Sequence, residues 1–462
     1  MQLLLIVAVL AALIVAEHAP DAPVETPVRA LTLALACMAV VPLYAAWISR
    51  KAAAELRRGT PRPTVVRRLR RWRAVHAMLW LIALGAVLLP LGWPRLVRYN
   101  AGLDGLFLID ELAILMPVLL PLIASWAAFY TADRVLHGGV ENADRRADSR
   151  RAYVALHVRH YLAILLIPVL VLLAVQDAAA IFFPDVDEQL HLLFFYLPAV
   201  AAIALAFPSL LRRVWETQPL AAGPLRDRLE ETARLAGFHA REILVWKTGG
   251  RVLNAAVTGF LPALRYVFLT DGLLDRMNEE QVHAVFGHEI GHLRHRHLWF
   301  RVAAMLMPLS AWFVLGRLCP GLFDAVVLRL RHIPFGQEGA AALIGLFALS
   351  GYMLFVFGPY CRLLEGQADL FGCQALAVSR GAVQPVETFI AALETLATAG
   401  AVDRNAAGWQ HASIARRVEF LRQIAADPDA AYRFERRVAV ISGLVLAALL
   451  SPLFLQLLGF SL

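Results

Sequence analysis

Charge is what this 462-residue chain has least of: 17% of its residues are Asp, Glu, Lys or Arg against 59% hydrophobic, with a mean hydropathy of +0.61. Soluble domains carry about 25% charged and about 45–50% apolar residues, so a soluble single-core protein is excluded. Cysteine is scarce as well. Cys37, Cys319, Cys361 and Cys373 contain no Cys-x-x-Cys pair, and three lie in or beside apolar runs. That excludes a disulfide framework and a thiolate metal site. The centres of the apolar runs are nearly uncharged, unlike the spans of a carrier, which place ionisable groups in mid-membrane.

What is present is a series of runs long enough to cross a bilayer, which takes about 20 residues. They fall near 1–16, 28–49, 74–93, 112–131, 161–183, 191–211, 299–322, 340–361 and 438–460. The first has no Lys or Arg before it, so it lacks the charged start of a signal peptide and is read as a span. Residues 50–73 hold Arg50, Lys51, Arg57, Arg58, Arg62, Arg67, Arg68, Arg70, Arg71 and Arg73 against the single acid Glu55. By the positive-inside rule this loop is cytoplasmic. The net charge of +8 thus belongs to topology and implies no nucleic-acid partner. Glu17, Asp21 and Glu25 put the preceding loop outside. Arg134, Arg145, Arg146, Arg150, Arg151 and Arg159 return the loop near 132–160 to the cytoplasm, and Asp185, Asp187 and Glu188 mark another outer loop. Segments 212–298 and 362–437 then share the cytoplasmic side. Asp110, Glu111 and Asp177, near the outer ends of spans, read as interfacial and solvated.

The densest group of reactive side chains is His288-Glu289-Ile290-Gly291-His292. Asn278 followed by Gln281 has the form of a capping box, which starts a helix there. Residues four apart share a helix face, so His288 and His292 can offer imidazole nitrogens to one metal ion. A catalytic zinc takes three protein ligands in tetrahedral geometry and keeps one position for water. That water becomes a nucleophile near neutral pH, with Glu289 placed to take its proton. The opposing reading is a basic, solvated helix face, since the chain has 14 histidines and His283, His295 and His297 lie close by. Those three are read as helix-surface or membrane-interface residues.

A third ligand decides between the readings. A His six residues after the second is excluded, because Leu298 stands there. Downstream, Glu365 and Asp369 are one helical turn apart. Glu365 can complete the zinc ligands, and Asp369 can accept a hydrogen bond from the outer N–H of a ligand His and fix its tautomer.

These residues resemble the HtpX and CAAX prenyl protease (Ste24-like) family of membrane zinc metallopeptidases, which are gluzincins. Three further segments carry the resemblance. Asn254-Ala255-Ala256-Val257-Thr258-Gly259 is similar to the family's Asn-Ala-x-x-x-Gly element. Leu269-Thr270-Asp271-Gly272-Leu273-Leu274 is similar to its strand-to-helix lead-in. His411 with Arg417 and Val418 is similar to its late His-Pro-x-x-x-x-Arg-Ile element, with Ala412 in place of Pro. The resemblance covers residues 224–425, less than half the chain. It implies one Zn2+ per chain on His288, His292 and Glu365, with Glu289 as general base. It further implies His411 as oxyanion stabiliser, Arg417 bracing that region or a carboxylate, and Asn254, Ala255 and Gly259 on an edge strand that binds extended peptide.

The expected fold is a mainly α-helical polytopic membrane protein of about nine spans with a small α+β zincin-like domain on the cytoplasmic side. Residues 1–211 form an N-terminal membrane domain. Residues 212–437 form the peptidase domain, interrupted by spans at 299–322 and 340–361, and 438–462 the last span. Leu225–Ala236 reads as helix; Glu242–Trp246, Asn254–Thr258 and Arg265–Leu269 read as strands. Trp299 opens a span seven residues after His292, roughly 10 Å along a helix, which puts the site at the cytoplasmic membrane face. The expected activity is endoproteolysis of membrane-associated polypeptides, as in quality control. The alternatives are processing of prenylated C-termini and a non-catalytic receptor or transporter, against which intact Glu289 argues. The Ala- and Arg-rich composition points to a bacterial inner membrane.

Overall fold

The computed structural model describes residues 2–136, 149–319, 336–380, 384–399 and 403–457, with positions 321 and 325. Arg145 and Arg146 of the expected cytoplasmic loop lie outside them, as do the ends of the spans drawn to 322 and 460. Among the described residues eight helices are long and apolar enough to cross a membrane: Pro27–Arg57, Arg62–Leu88, Met116–Leu136, Arg150–Phe182, Gln189–Val214, His297–Leu318, Ala341–Ala377 and Asp429–Leu457. The expected first span forms a shorter apolar helix than these eight. Its helix, Gln2–Glu17, has 16 residues, about 24 Å at 1.5 Å per residue, against a hydrocarbon core of about 30 Å. The chain divides into two units, Met1–Trp215 with Leu330–Leu346, and Glu216–Arg329 with Phe347–Leu462.

The first unit is a helical bundle. Helix Pro27–Arg57 buries Ala30, Ala34, Met38, Val41, Ala45, Ile48 and Ala52, a three-to-four-residue spacing that makes one continuous stripe. The stripe is mostly small, so helix Met116–Leu136 packs closely along it. The short helix Gln2–Glu17 adds Leu5, Ala8, Ala12 and Val15 to the same core. The basic stretch 50–73 is not a loop. It extends two helices toward each other, with only residues 58–61 between them. Arginine is a good helix former, and the reversal falls at Gly59, with φ +82°, followed by Thr60 and Pro61. Asp110 is also corrected: it is 4% exposed and paired with Arg98 Nε at 3.2 Å, while Asp177 Oδ2 accepts from the Leu108 amide at 3.0 Å. These carboxylates satisfy backbone and guanidinium groups inside the bundle.

The second unit is built on a four-stranded sheet of order β1-β2-β4-β3. The strands are β1 (Thr217–Pro219), β2 (Glu242–Trp246), β3 (Ala255–Thr258) and β4 (Tyr266–Thr270). β2 and β4 run parallel, Glu242 opposite Tyr266. Their apolar runs are nearly continuous because both faces are covered. β3 pairs antiparallel with β4, Ala255 opposite Leu269, and is an edge strand. β1 has too few apolar residues to be read from sequence.

The motif helix, Glu279–Arg294, packs against the carboxylate helix, Gly358–Arg380. Glycine makes this approach close. A Cβ on Gly287 would lie 3.0 Å from Ala375 Cβ, one on Gly291 3.0 Å from Phe371 Cβ and 3.1 Å from Ala368 Cα, and one on Gly372 3.2 Å from Ala284 O. Gly287 and Gly291, four apart, share the face that packs on the second helix, and His288 and His292, also four apart, share the adjoining face.

Candidate metal centre

Both ends of the motif helix are defined by side chains and backbone. Asn278 Oδ1 accepts from the Gln281 amide at 2.9 Å, and Gln281 Oε1 accepts from the Asn278 amide at 3.2 Å, the expected capping box. The helix ends at Arg294 and is followed by Arg296, whose φ of +57° is left-handed. A new helix starts at His297. This reversal turns His297 back under the helix it follows.

The structure brings His288, His292 and Glu365 together. One donor atom from each lies within 4.8 Å of the others. His288 Nε2 is 3.2 Å from His292 Nε2 and 3.6 Å from Glu365 Oε2, and His292 Nε2 is 3.3 Å from Glu365 Oε1. Glu365 is 2% exposed, and it also accepts from Arg301 Nη2 at 2.8 Å and lies 2.9 Å from His411 Nδ1.

Each candidate ligand histidine has a partner on its outer nitrogen. His288 Nδ1 lies 2.8 Å from Asp369 Oδ1, close enough for a hydrogen bond though not aligned as a straight one. Asp369 is fully buried and gripped by Arg417, with Nε to Oδ2 at 2.9 Å and Nη2 to Oδ1 at 2.6 Å. His292 Nδ1 lies 2.8 Å from His297 Nδ1, and His297 Nε2 lies 2.8 Å from Gln367 Oε1. The surface reading of His297 is therefore wrong; it is 1% exposed because the left-handed turn at Arg296 folds it inward. His283 is likewise buried, at 2%, with Nε2 2.6 Å from Thr232 Oγ1. His295 keeps a partly exposed place at the end of the motif helix. Sequence reasoning missed Arg301, His297 and Gln367. A polar Gln two residues after Glu365 and an Arg in the first turn of an apolar helix were the available signals.

A cavity of about 440 Å³ opens over this cluster. Glu289, His411, Arg301 and Arg417 line it, as do Asn254 to Thr258. Thr270 N donates to Asn254 O at 3.0 Å, so antiparallel alternation turns the backbone groups of Ala255 and Val257 toward the free edge of β3. Gly259 is not part of this wall. Its φ is +116°, and a Cβ there would lie 2.5 Å from Leu264 O, so glycine is required by the turn into β4 rather than by the cavity. His411 is 61% exposed at its side chain, with Nδ1 on Glu365.

Electrostatics separate the two imidazoles. Burial alone would lower the His288 pKa, but the hydrogen bonding and charge of Asp369, then Glu365, push it up to about 10. Burial, then the His288 charge, holds His292 well below its ordinary value. Burial raises Glu289 above the usual carboxylate range, against the pull of His288. Glu289, Glu365 and Asp369 lie close together, with Arg301 against Glu365 and Arg417 against Asp369. Two imidazole nitrogens and a carboxylate oxygen are a donor set that zinc accepts, and the residues present fit a divalent metal.

Residues 219–425 match Peptidase family M48. That segment, less than half of the chain, is similar to the M48 peptidases. The match takes in the motif helix, the carboxylate helix, β3 and His411, which is the whole cluster. The chain is 32% identical over 168 residues to the protease HtpX homolog of Aeropyrum pernix, covering 35% of this chain and 50% of that protein. It is 30% identical over 182 residues to protease HtpX of Xanthomonas axonopodis pv. citri, covering 37% and 56%. The chain thus spans about half the length of the curated relatives it matches. A solved structure, that of S. mikatae Ste24p, is similar at a TM-score of 0.45 and 13% identity, over 87% of this chain and 100% of that one.

Proposed function

We propose that this chain is a membrane-embedded zinc endopeptidase that hydrolyses peptide bonds of membrane-associated polypeptides, with quality control as its role. The observation that carries the reading is the convergence of His288, His292 and Glu365 beside Glu289, in a cavity walled by the edge strand β3.

In this reading His288, His292 and Glu365 hold one Zn2+. When bound, zinc supplies Lewis-acid polarisation of a water and of the scissile carbonyl. Glu289 takes the proton of the attacking water and delivers it to the departing amine. Its raised pKa suits both roles. Asp369 orients His288, and Arg417 holds Asp369 in place. His411 swings from Glu365 to donate to the oxyanion. An extended substrate adds to β3 through the outward groups of Ala255 and Val257, so binding depends little on side chains. Asn254 fixes the start of that strand on Thr270.

The membrane placement supports the substrate class. The motif helix is followed at once by the apolar helix His297–Leu318, and Glu365 lies within the apolar helix Ala341–Ala377. Two spans separate the halves of the site, so both face one side, which the basic segments 50–73 assign to the cytoplasm, of a bacterial inner membrane in this reading. Residues 1–211 are then a membrane domain, 212–437 the peptidase and 438–462 a closing span. Cleavage by the purified chain in detergent, on a misfolded membrane protein, a soluble unfolded protein and a prenylated peptide, tests the assignment. Faster cleavage of the membrane protein is expected. Equal rates on the soluble substrate remove the membrane preference, and cleavage of the prenylated peptide alone assigns C-terminal processing.

A further inference from the structure

The two histidines of the cluster are held differently. His288 turns its outer nitrogen toward a carboxylate, Asp369. His292 turns its own toward another imidazole, His297 Nδ1, at 2.8 Å. Two neutral imidazole nitrogens at this distance share one hydrogen, so one is an N–H donor and the other a lone pair. The pair itself does not decide which. The choice has consequences, because a neutral imidazole with its hydrogen on Nδ1 keeps its Nε2 lone pair, and the other tautomer loses it.

The decision comes from further out. His297 Nε2 lies 2.8 Å from Gln367 Oε1, and Gln367 Nε2 donates to Glu435 Oε2. A carboxylate offers only acceptors. Gln367 must therefore present its NH2 to Glu435, since the flipped amide would set oxygen against oxygen. Gln367 Oε1 is then an acceptor, and His297 Nε2 carries the hydrogen. Neutral His297 is left with a lone pair on Nδ1, so His292 Nδ1 is the donor. The His292 lone pair falls on Nε2, the atom 3.2 Å from His288 Nε2 and 3.3 Å from Glu365 Oε1. One acceptor at the far end sets every hydrogen in the chain.

We propose that Glu435, on the C-terminal helix Pro428–Leu457, fixes the tautomer of His292 through Gln367 and His297 and so keeps the His292 Nε2 lone pair open to a divalent metal ion. Glu435, Gln367 and His297 are positioning residues. The inference rests on the ligand reading given above and adds to it a dependence on a helix that carries no ligand. It also makes hydrogen-bond direction at position 435, rather than charge, the controlling property.

Zinc affinity of the purified full-length chain, measured by competition with a chelator, tests this without reference to proteolysis. Glu435→Gln removes the charge but keeps an acceptor, and should bind zinc within about threefold of wild type. Glu435→Leu removes the acceptor and should weaken binding about tenfold, the scale seen for partners of metal-ligating histidines. Glu435→Lys replaces the acceptor with a donor, which flips Gln367 and reverses the chain, and should weaken binding most. In a His297→Leu background the three substitutions should have no further effect, whereas His297→Gln, which can accept and donate in the same order, should recover much of the affinity. Equal loss in Glu435→Gln and Glu435→Leu would make charge the cause and overturn the proposal, as would equal effects of Glu435→Lys with and without His297. Wild-type chain that binds no zinc would remove the ligand reading itself; wild-type chain that binds zinc while Glu435→Lys binds it equally would remove only the relay.

Discussion

Arg417 and Asp369 are the pair on which the site's stability turns. Asp369 is fully buried and Arg417 is 15% exposed at its side chain, and removing one partner leaves the other charged with little solvent. Asp369→Leu should cost about 3–5 kcal/mol in a denaturation experiment, and Asp369→Leu with Arg417→Leu together should cost less than either alone, because a paired apolar replacement strands no charge. Additive losses would mean that the two residues act separately. Glu289 gives a prediction in pH. A general base must be ionised, and burial raises its pKa. Activity should therefore fall with decreasing pH through a midpoint above the ordinary Glu range, and a kcat/KM profile checks it. At this scale the sequence was most legible where spacing alone carries chemistry: His288 and His292 four apart, and Glu365 and Asp369 four apart. Asp369 met His288 as its position on the helix implied. His297 was misread because its burial depends on one left-handed residue, Arg296, which no periodicity marks.

At the scale of elements, two helices supply the candidate ligands His288, His292 and Glu365, and their glycines set the distance between them. Gly291→Ala adds a methyl group within 3.1 Å of Ala368 Cα. Such overpacking costs about 1–3 kcal/mol and should also weaken zinc binding by separating His292 from Glu365. A stable variant with unchanged zinc affinity would show that the helices have room to spare. The edge strand makes a different prediction. Val257→Pro removes an outward N–H and leaves the ladder to β4 intact, so it should raise KM with little change in folding, read by peptide kinetics beside a thermal melt. The capping box and three of the four strands were legible because each is a local pattern. β1 was not, since a three-residue edge strand has no pattern to read. The stretch 50–73 was taken for a loop because its charge masked its helical propensity.

For the whole molecule, the apolar helices explain the composition from which the reading started: few charges, placed at helix ends or gathered at one site. About nine spans were expected; among the described residues eight helices are long enough, and the run at the N-terminus forms a shorter apolar helix of 16 residues. The rest of the alternation is unaffected, since the basic segments after it are unchanged. Epitope tags inserted after Gly237 and after Asp427 should be reached from the same side of the membrane, and a tag after Asp185 from the other. Opposite sidedness of the first two would separate the halves of the site and contradict the account. The most direct test of the central claim uses one substitution and two readings. Purified wild-type chain and Glu289→Gln should each hold one zinc, and only the wild type should cleave an unfolded membrane protein. Zinc retained with cleavage lost is the predicted result; equal cleavage by both proteins would contradict the assignment of Glu289 and of the peptidase site around it.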